Sequence, residues 1–206
     1  MPLNAPLRKA FLRRYLVYRV KAIEFFDLAA IRQELLAQKM AVPTPVGRTN
    51  VDFLAGLRTV LLSWMALFID KSKDGMDVIP MWKELFPQLS TDIDEAWRQM
   101  EPAWGTIRTF RDRAGFHADK PSKFFRARSA VIANHSRVTK ALKEFEKLQR
   151  KILKSEGSTL PDLEAALDDL LDDLENGENH KYKRAELKSY LMIPNTRASE
   201  AIHDAR

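Results

Sequence analysis

Between positions 108 and 120 the chain reads Arg108-Thr109-Phe110-Arg111-Asp112-Arg113-Ala114-Gly115-Phe116-His117-Ala118-Asp119-Lys120. An imidazole beside guanidinium groups is a minimal kit for cutting RNA without a metal. The first relays a proton near neutral pH, and the second holds phosphate as a permanent cation. Which arginine partners His117 depends on the local backbone. On an unbroken α-helix Arg113 and His117 are four residues apart and share a face. Arg111 and His117 are six apart and point to different faces. A helix end at Gly115 would let the chain swing His117 towards Arg111. Arg111 is the preferred partner on this reading and Arg113 the substitute.

Spacing alone does not single out this segment. Three of the four histidines follow an arginine at a similar distance: Arg111 with His117, Arg128 with His135, and Arg197 with His203. Context separates them. Arg128 and His135 fall within a continuous helical pattern, where His135 reads as structural. Arg197 and His203 lie in a polar tail. Only Arg111 is followed by an acidic residue at a helix-to-loop passage.

Arg111, Asp112 and His117 resemble the motif of the HEPN superfamily, small all-α proteins of toxin–antitoxin, phage-defence (abortive-infection) and RNA-processing systems. The motif spans seven residues, and the helical pattern from about Leu7 to Lys154 is compatible with the family fold. The resemblance implies a metal-independent endoribonuclease in which the ribose 2′-hydroxyl attacks the adjacent phosphorus. His117 would act as general base or acid, Arg111 (or Arg113) would stabilise charge on the phosphoryl oxygens, and Asp112 would orient an arginine or the imidazole. It also implies a homodimer, which would bring two copies of His117 to one cleft. An antitoxin or nucleotidyltransferase partner belongs to the same expectation, as does RNA as substrate. No cofactor and no metal are called for. The different-class alternative is a non-catalytic helical module that binds nucleic acid or a partner protein.

The charge around the motif fits a polyanion ligand. From Arg108 to Lys154 there are 14 Lys/Arg and 4 Asp/Glu, a net +10; from Ser155 to Asn179 there are 9 Asp/Glu and no Lys/Arg, a net −9. Arg108, Lys120, Lys123 and Arg126 are the candidate nucleic-acid contacts. The acidic block either folds back on the basic helix, forms a solvated face, or limits promiscuous binding. Its carboxylates at Asp168, Asp169, Asp172, Asp173 and Glu175 have no histidine partner at a telling spacing, so a solvated face is favoured over a cation site.

Composition bounds the rest. The 206 residues include no cysteine, which excludes disulfides, thiolate metal sites and a cysteine nucleophile, and fits a cytoplasmic protein. The longest apolar stretch, Phe53 to Ile69, holds Arg58, so a buried helix is expected and not a membrane span. No phosphate-binding glycine loop or dinucleotide fingerprint is present.

The remaining pattern predicts an all-α fold, a bundle of four or five main helices with a less ordered C-terminal tail. Three regions are expected: 1–154 as a HEPN-like helical bundle, 155–179 as an acidic helical segment, and 180–206 as the tail. The first helix runs to about Met40 and buries Tyr15, Tyr18, Phe25 and Phe26. Asn50 caps a central helix to about Asp70. A short helix spans Pro80 to Phe86, and Ser90 or Thr91 caps the next. A long basic helix spans Ser122 to Leu153, with an apolar stripe through Phe125, Ile132, Val138, Leu142, Phe145, Leu148 and Ile152. Ser155-Glu156-Gly157-Ser158 reads as a linker. The four tryptophans read as packing residues.

Overall fold

The computed structural model describes residues 5–37, 45–70, 77–115 and 121–175. They form seven α-helices and no strand, so the all-α class holds. The helices are α1 (Ala5–Ala37), α2 (Pro45–Phe68), α3 (Val78–Leu85), α4 (Ser90–Phe110), α5 (Pro121–Ala133), α6 (His135–Thr159) and α7 (Leu163–Glu175). A 3₁₀ turn at Pro87–Leu89 precedes α4, and a π turn at Arg111–Gly115 follows it. Four of the helices, α1, α2, α4 and α6, run 21 residues or more. The tail at 180–206 lies outside the described residues.

Local chemistry explains most boundaries. Asp77 caps α3 by accepting from the Ile79 amide at 3.2 Å, and Pro80 sits in the first turn, where its missing N–H costs nothing. The helix α2 starts at Pro45, five residues before the expected cap at Asn50. Proline is pre-set for a first helical position, so Pro45 begins the helix where a break was expected.

Two other expectations give way. The long basic helix is divided at Asn134, whose side-chain amide donates to the Ala130 carbonyl at 2.9 Å. The backbone ladder still runs through this residue, from the Asn134 amide to the Ala130 carbonyl and from the Val138 amide to the Asn134 carbonyl, both at 3.0 Å, so α5 and α6 meet at a one-residue irregularity. Ser155 to Ser158 is no linker: α6 continues through it to Thr159. The reason is burial. Glu156 is locked in the interior, and Leu160 just beyond is buried too, so the helix is held on both sides of Gly157.

The chain divides into two compact units. Unit 1 comprises Met1–Ile23, Asp77–Ile93 and Gln149–Arg206. Its core is aromatic and partly polar. Tyr18 meets Trp82 edge-on at 5.2 Å between ring centroids, and Tyr15 lies against Phe86 at 5.4 Å. Among them Arg19, only 1% exposed, pairs with Glu156 at 2.6 Å, and the Tyr15 hydroxyl donates to Glu156 Oε2 at 2.9 Å. Burial raises the Glu156 carboxyl above its ordinary pKa; Arg19 and the tyrosine hydroxyl pull it back only in part. Burial also raises the Tyr15 phenol, and the Glu156 charge adds to it. Neither amide atom of the fully buried Gln149 has a hydrogen-bond partner among the described residues.

The outer side of unit 1 is where the acidic block settles. Arg8 donates from Nε and Nη2 to the two carboxylate oxygens of Asp162, both at 3.0 Å, Lys9 reaches Asp169 at 2.9 Å, and Arg13 pairs with Asp173. The acidic segment therefore pairs with the start of α1.

Unit 2 comprises Glu24–Met76 and Asp94–Leu148. Phe145 is its hub, 5.6 Å from Phe25 and 5.5 Å from Phe68. Leu61, Leu62, Met65, Met100, Ile107, Val138 and Leu142 complete a core that is almost wholly hydrocarbon. Side chains of this size contribute roughly 1.5–3 kcal/mol each on burial. Trp97 and Trp104 stack edge-on at 5.7 Å and are half-buried, as packing residues are.

Candidate nucleic-acid interface

The Arg–His segment begins where α4 gives way to the π turn, and all its described residues belong to unit 2. The π turn packs against α2 and α5. A π turn carries one residue more than an α turn, costs stability, and recurs where a protein re-aims side chains for function.

Arg111 is the best-anchored of the expected site residues. Its Nε donates to Asp112 Oδ1 at 2.8 Å and its Nη1 to Asp70 Oδ2 at 2.8 Å; Nη2 lies 2.7 Å from Asp112 Oδ1. Burial alone would lower the pKa of this guanidinium, but hydrogen bonds to Asp112 and Asp70 outweigh it and raise the value. Two carboxylates occupy the fork that a phosphate would need. Arg111 thus fastens the π turn to the end of α2 and is a positioning residue. Asp112 is engaged by Arg111, the neighbouring residue.

Arg113, two residues on, is different. It is exposed and makes no ion pair among the described residues. Of the two candidate guanidiniums, this one is open to a ligand. His117 and Lys120 lie outside the described residues.

Arg108 on α4 and Lys123 and Arg126 on α5 are exposed and carry no carboxylate partner among the described residues. Lys123 and Arg126 are three apart on α5 and neighbours on its surface. The helix buries only a narrow strip, Ala127 and Val131, with Phe124 beside them. The rest of α5 faces outward, including Arg128.

Here the expected apolar stripe is wrong at its first two positions. Phe125 is 61% exposed and Ile132 64% exposed, whereas Val138, Leu142, Phe145, Leu148 and Ile152 are buried. The buried positions Ala127, Val131, Val138, Ala141, Phe145, Leu148 and Ile152 keep one helical phase across Asn134, and Phe125 and Ile132 lie off that line. Phe125 therefore stands in solvent between Lys123 and Arg126, edge-on to Phe124 at 5.4 Å between ring centroids. The sequence signal was present, an aromatic inside a run of cations, but helical periodicity assigned it to the core.

His135 also differs from its structural reading. It is exposed at the start of α6, and its Nδ1 lies 2.8 Å from Arg58 Nη1. Among the described residues no group of three or more His, Asp or Glu converges as a cation site, and no helix is long and apolar enough to cross a membrane.

The fold and surface together define an all-α chain with a cationic, aromatic-bearing helix. No protein-family model, curated protein or solved structure matches it.

Proposed function

We propose that the chain binds single-stranded RNA through the outer face of α5, with Arg108 and Arg113 extending the contact along the phosphate backbone. The observation that carries the reading is Phe125, exposed among Lys123, Arg126 and Arg128, none of which has a carboxylate partner among the described residues. Cations supply backbone affinity through counterion release. An exposed ring offers a stacking surface that accepts any base. A duplex would have to be unstacked to receive the ring, at a cost of a few kcal/mol per step, whereas an unpaired base is already open to it.

The test is fluorescence anisotropy with a labelled single-stranded RNA. Phe125→Ala should weaken binding by about 1–3 kcal/mol, the usual worth of one stacked base. Arg126→Gln should instead lower the salt slope by about one unit, as losing one phosphate contact does. Unchanged affinity in both variants rejects the reading. Loss of a dimer in Phe125→Ala, with RNA affinity unaltered, would assign the ring to self-association.

A second reading, cleavage of the bound RNA in the HEPN manner, is favoured by the π turn at the motif and by the open Arg113 beside it. On this reading His117 takes the proton of a ribose 2′-hydroxyl as that oxygen attacks phosphorus. The 5′-oxygen leaves with a proton from the second copy of His117 in a homodimer, giving a 2′,3′-cyclic phosphate. Arg113 stabilises the charge gathering on phosphorus, and Arg111 holds the turn. Cleavage in the presence of chelator that disappears in His117→Ala supports it; retained cleavage in that variant removes it.

A further inference from the structure

A second cationic cluster lies in unit 2, on residues that the RNA-binding face does not use. Arg58 reaches out from α2 to α6. Its Nη1 donates to His135 Nδ1 at 2.8 Å and its Nη2 to Thr139 Oγ1 at 3.1 Å. Both partners are uncharged acceptors in these bonds, so nothing in them neutralises the guanidinium. Arg32 of α1 stands close enough to Arg58 to repel it, and burial together with that repulsion lowers the Arg58 pKa. The Nε of Arg32 is buried and has no hydrogen-bond partner among the described residues. Neither arginine forms an ion pair with a carboxylate among the described residues.

Two adjacent, half-buried guanidiniums without a counter-charge are an unstable arrangement for a protein alone. Each is strongly favoured by an anion that supplies several acceptor oxygens at once. The histidine completes the chemistry. A guanidinium has only donors, so Nδ1 must be the acceptor and Nε2 carries the proton and remains a donor. The group that fits is tetrahedral, multiply charged and rich in oxygens.

We propose that Arg32, Arg58 and His135 form a phosphoryl-anion site, with both guanidiniums and the His135 Nε2–H donating to its oxygens and Thr139 holding Arg58 in place. The site uses no residue of the Arg111–His117 motif and stands whether or not Phe125 stacks on a base. Its ligand is either a phosphate of a polynucleotide backbone or a free polyphosphate; the chemistry is shared.

Pyrophosphate is the probe, titrated into the full-length protein while the His135 ring resonances are followed by NMR, assigned with His135→Asn. The ring signals should shift to saturation in the wild type. In Arg58→Gln the affinity should fall roughly tenfold or more, the usual consequence of losing a charge-assisted hydrogen bond to an anion. Should Arg58→Gln fail to fold, Arg32→Gln gives the same reading from the opposite side of the site. Immobile His135 signals in the wild type, or equal affinity in the folded variant, overturn the proposal. The same variants titrated with single-stranded RNA identify the source. Weakened binding to both ligands marks a backbone phosphate, and weakened binding to pyrophosphate alone marks a free polyphosphate.

Discussion

Two cationic stretches among the described residues, the start of α1 and the whole of α5, have met opposite fates. On α1 the residues Arg8, Lys9 and Arg13 are each matched by an aspartate at or just before α7. On α5 Lys123, Arg126 and Arg128 have no such match among the described residues. The sequence places its acidic block directly after the basic one, yet the fold carries it to the first helix. A charged run is thus no guide to its own partner. What distinguishes the two helices is that α1 has been neutralised from within the chain, while α5 retains its charge for something outside it.

The largest effect that would break this contrast lies beneath the α1 surface. Replacing Glu156 by Leu leaves Arg19 buried without its carboxylate and should destabilise the protein by about 3–5 kcal/mol, read by urea unfolding. RNA affinity per folded molecule should not change, because the buried pair belongs to unit 1 and the ligand-facing cations to unit 2. If Glu156→Leu is as stable as wild type, the buried pair does not hold unit 1 together.

Next comes the contrast between Arg111 and Arg113. Arg111→Gln removes the charged donor that Asp70 and Asp112 share and should cost about 1–3 kcal/mol. Arg113→Gln should leave unfolding within roughly 0.5 kcal/mol of wild type, as exposed substitutions do, and weaken RNA binding instead. The reverse pattern would make Arg111 the ligand-facing cation.

A gain of about 0.5–1 kcal/mol is expected for Gly157→Ala, seen as a raised thermal midpoint. A methyl group there meets nothing within 4 Å, so only the helix propensity of α6 changes. No gain would mean that the end of α6 is not a stable helix.

The smallest effect concerns pH. Hydrogen bonding to Arg8 holds the Asp162 carboxyl below its ordinary value despite some burial. A depressed carboxylate contributes stability above its unfolded pKa and loses it as pH falls through the folded one. Glu156 is raised, so the sign inverts: on acidification the folded state takes up that proton before the unfolded chain does, and the term favours folding as pH drops. Carboxyl-carbon NMR titration should find the two on opposite sides of the free-peptide range. Asp162→Asn, at a largely exposed pair, should cost less than about 1 kcal/mol at neutral pH.

The helices were legible where burial repeats regularly, as for Tyr15, Tyr18, Phe25 and Phe26 on α1 and Val138 through Ile152 on α6. They were less legible where apolar residues flank the true stripe: Phe125 and Ile132 each stand next to a buried or half-buried position, Phe124 and Val131, and face outward. The Ser155–Ser158 stretch looked like a linker because three of its residues are small or polar, yet tertiary burial of Glu156 overrides that composition. The motif segment offered the correct residue types without their assignments. Nothing local says that Asp70, 41 positions before Arg111, will occupy its guanidinium. The Arg58–His135 contact spans 77 positions and has no sequence signature at all.

Unit 1 is assembled from three separated stretches of chain, the last beginning at Gln149, whereas unit 2 needs nothing beyond Leu148. During synthesis, therefore, unit 2 has all its residues before unit 1 does. Glu156 is late to emerge from the ribosome, so Arg19 must wait, hydrated and unmatched, through most of translation, and the nascent chain passes through a stage in which its N-terminal aromatics have no finished interior to enter.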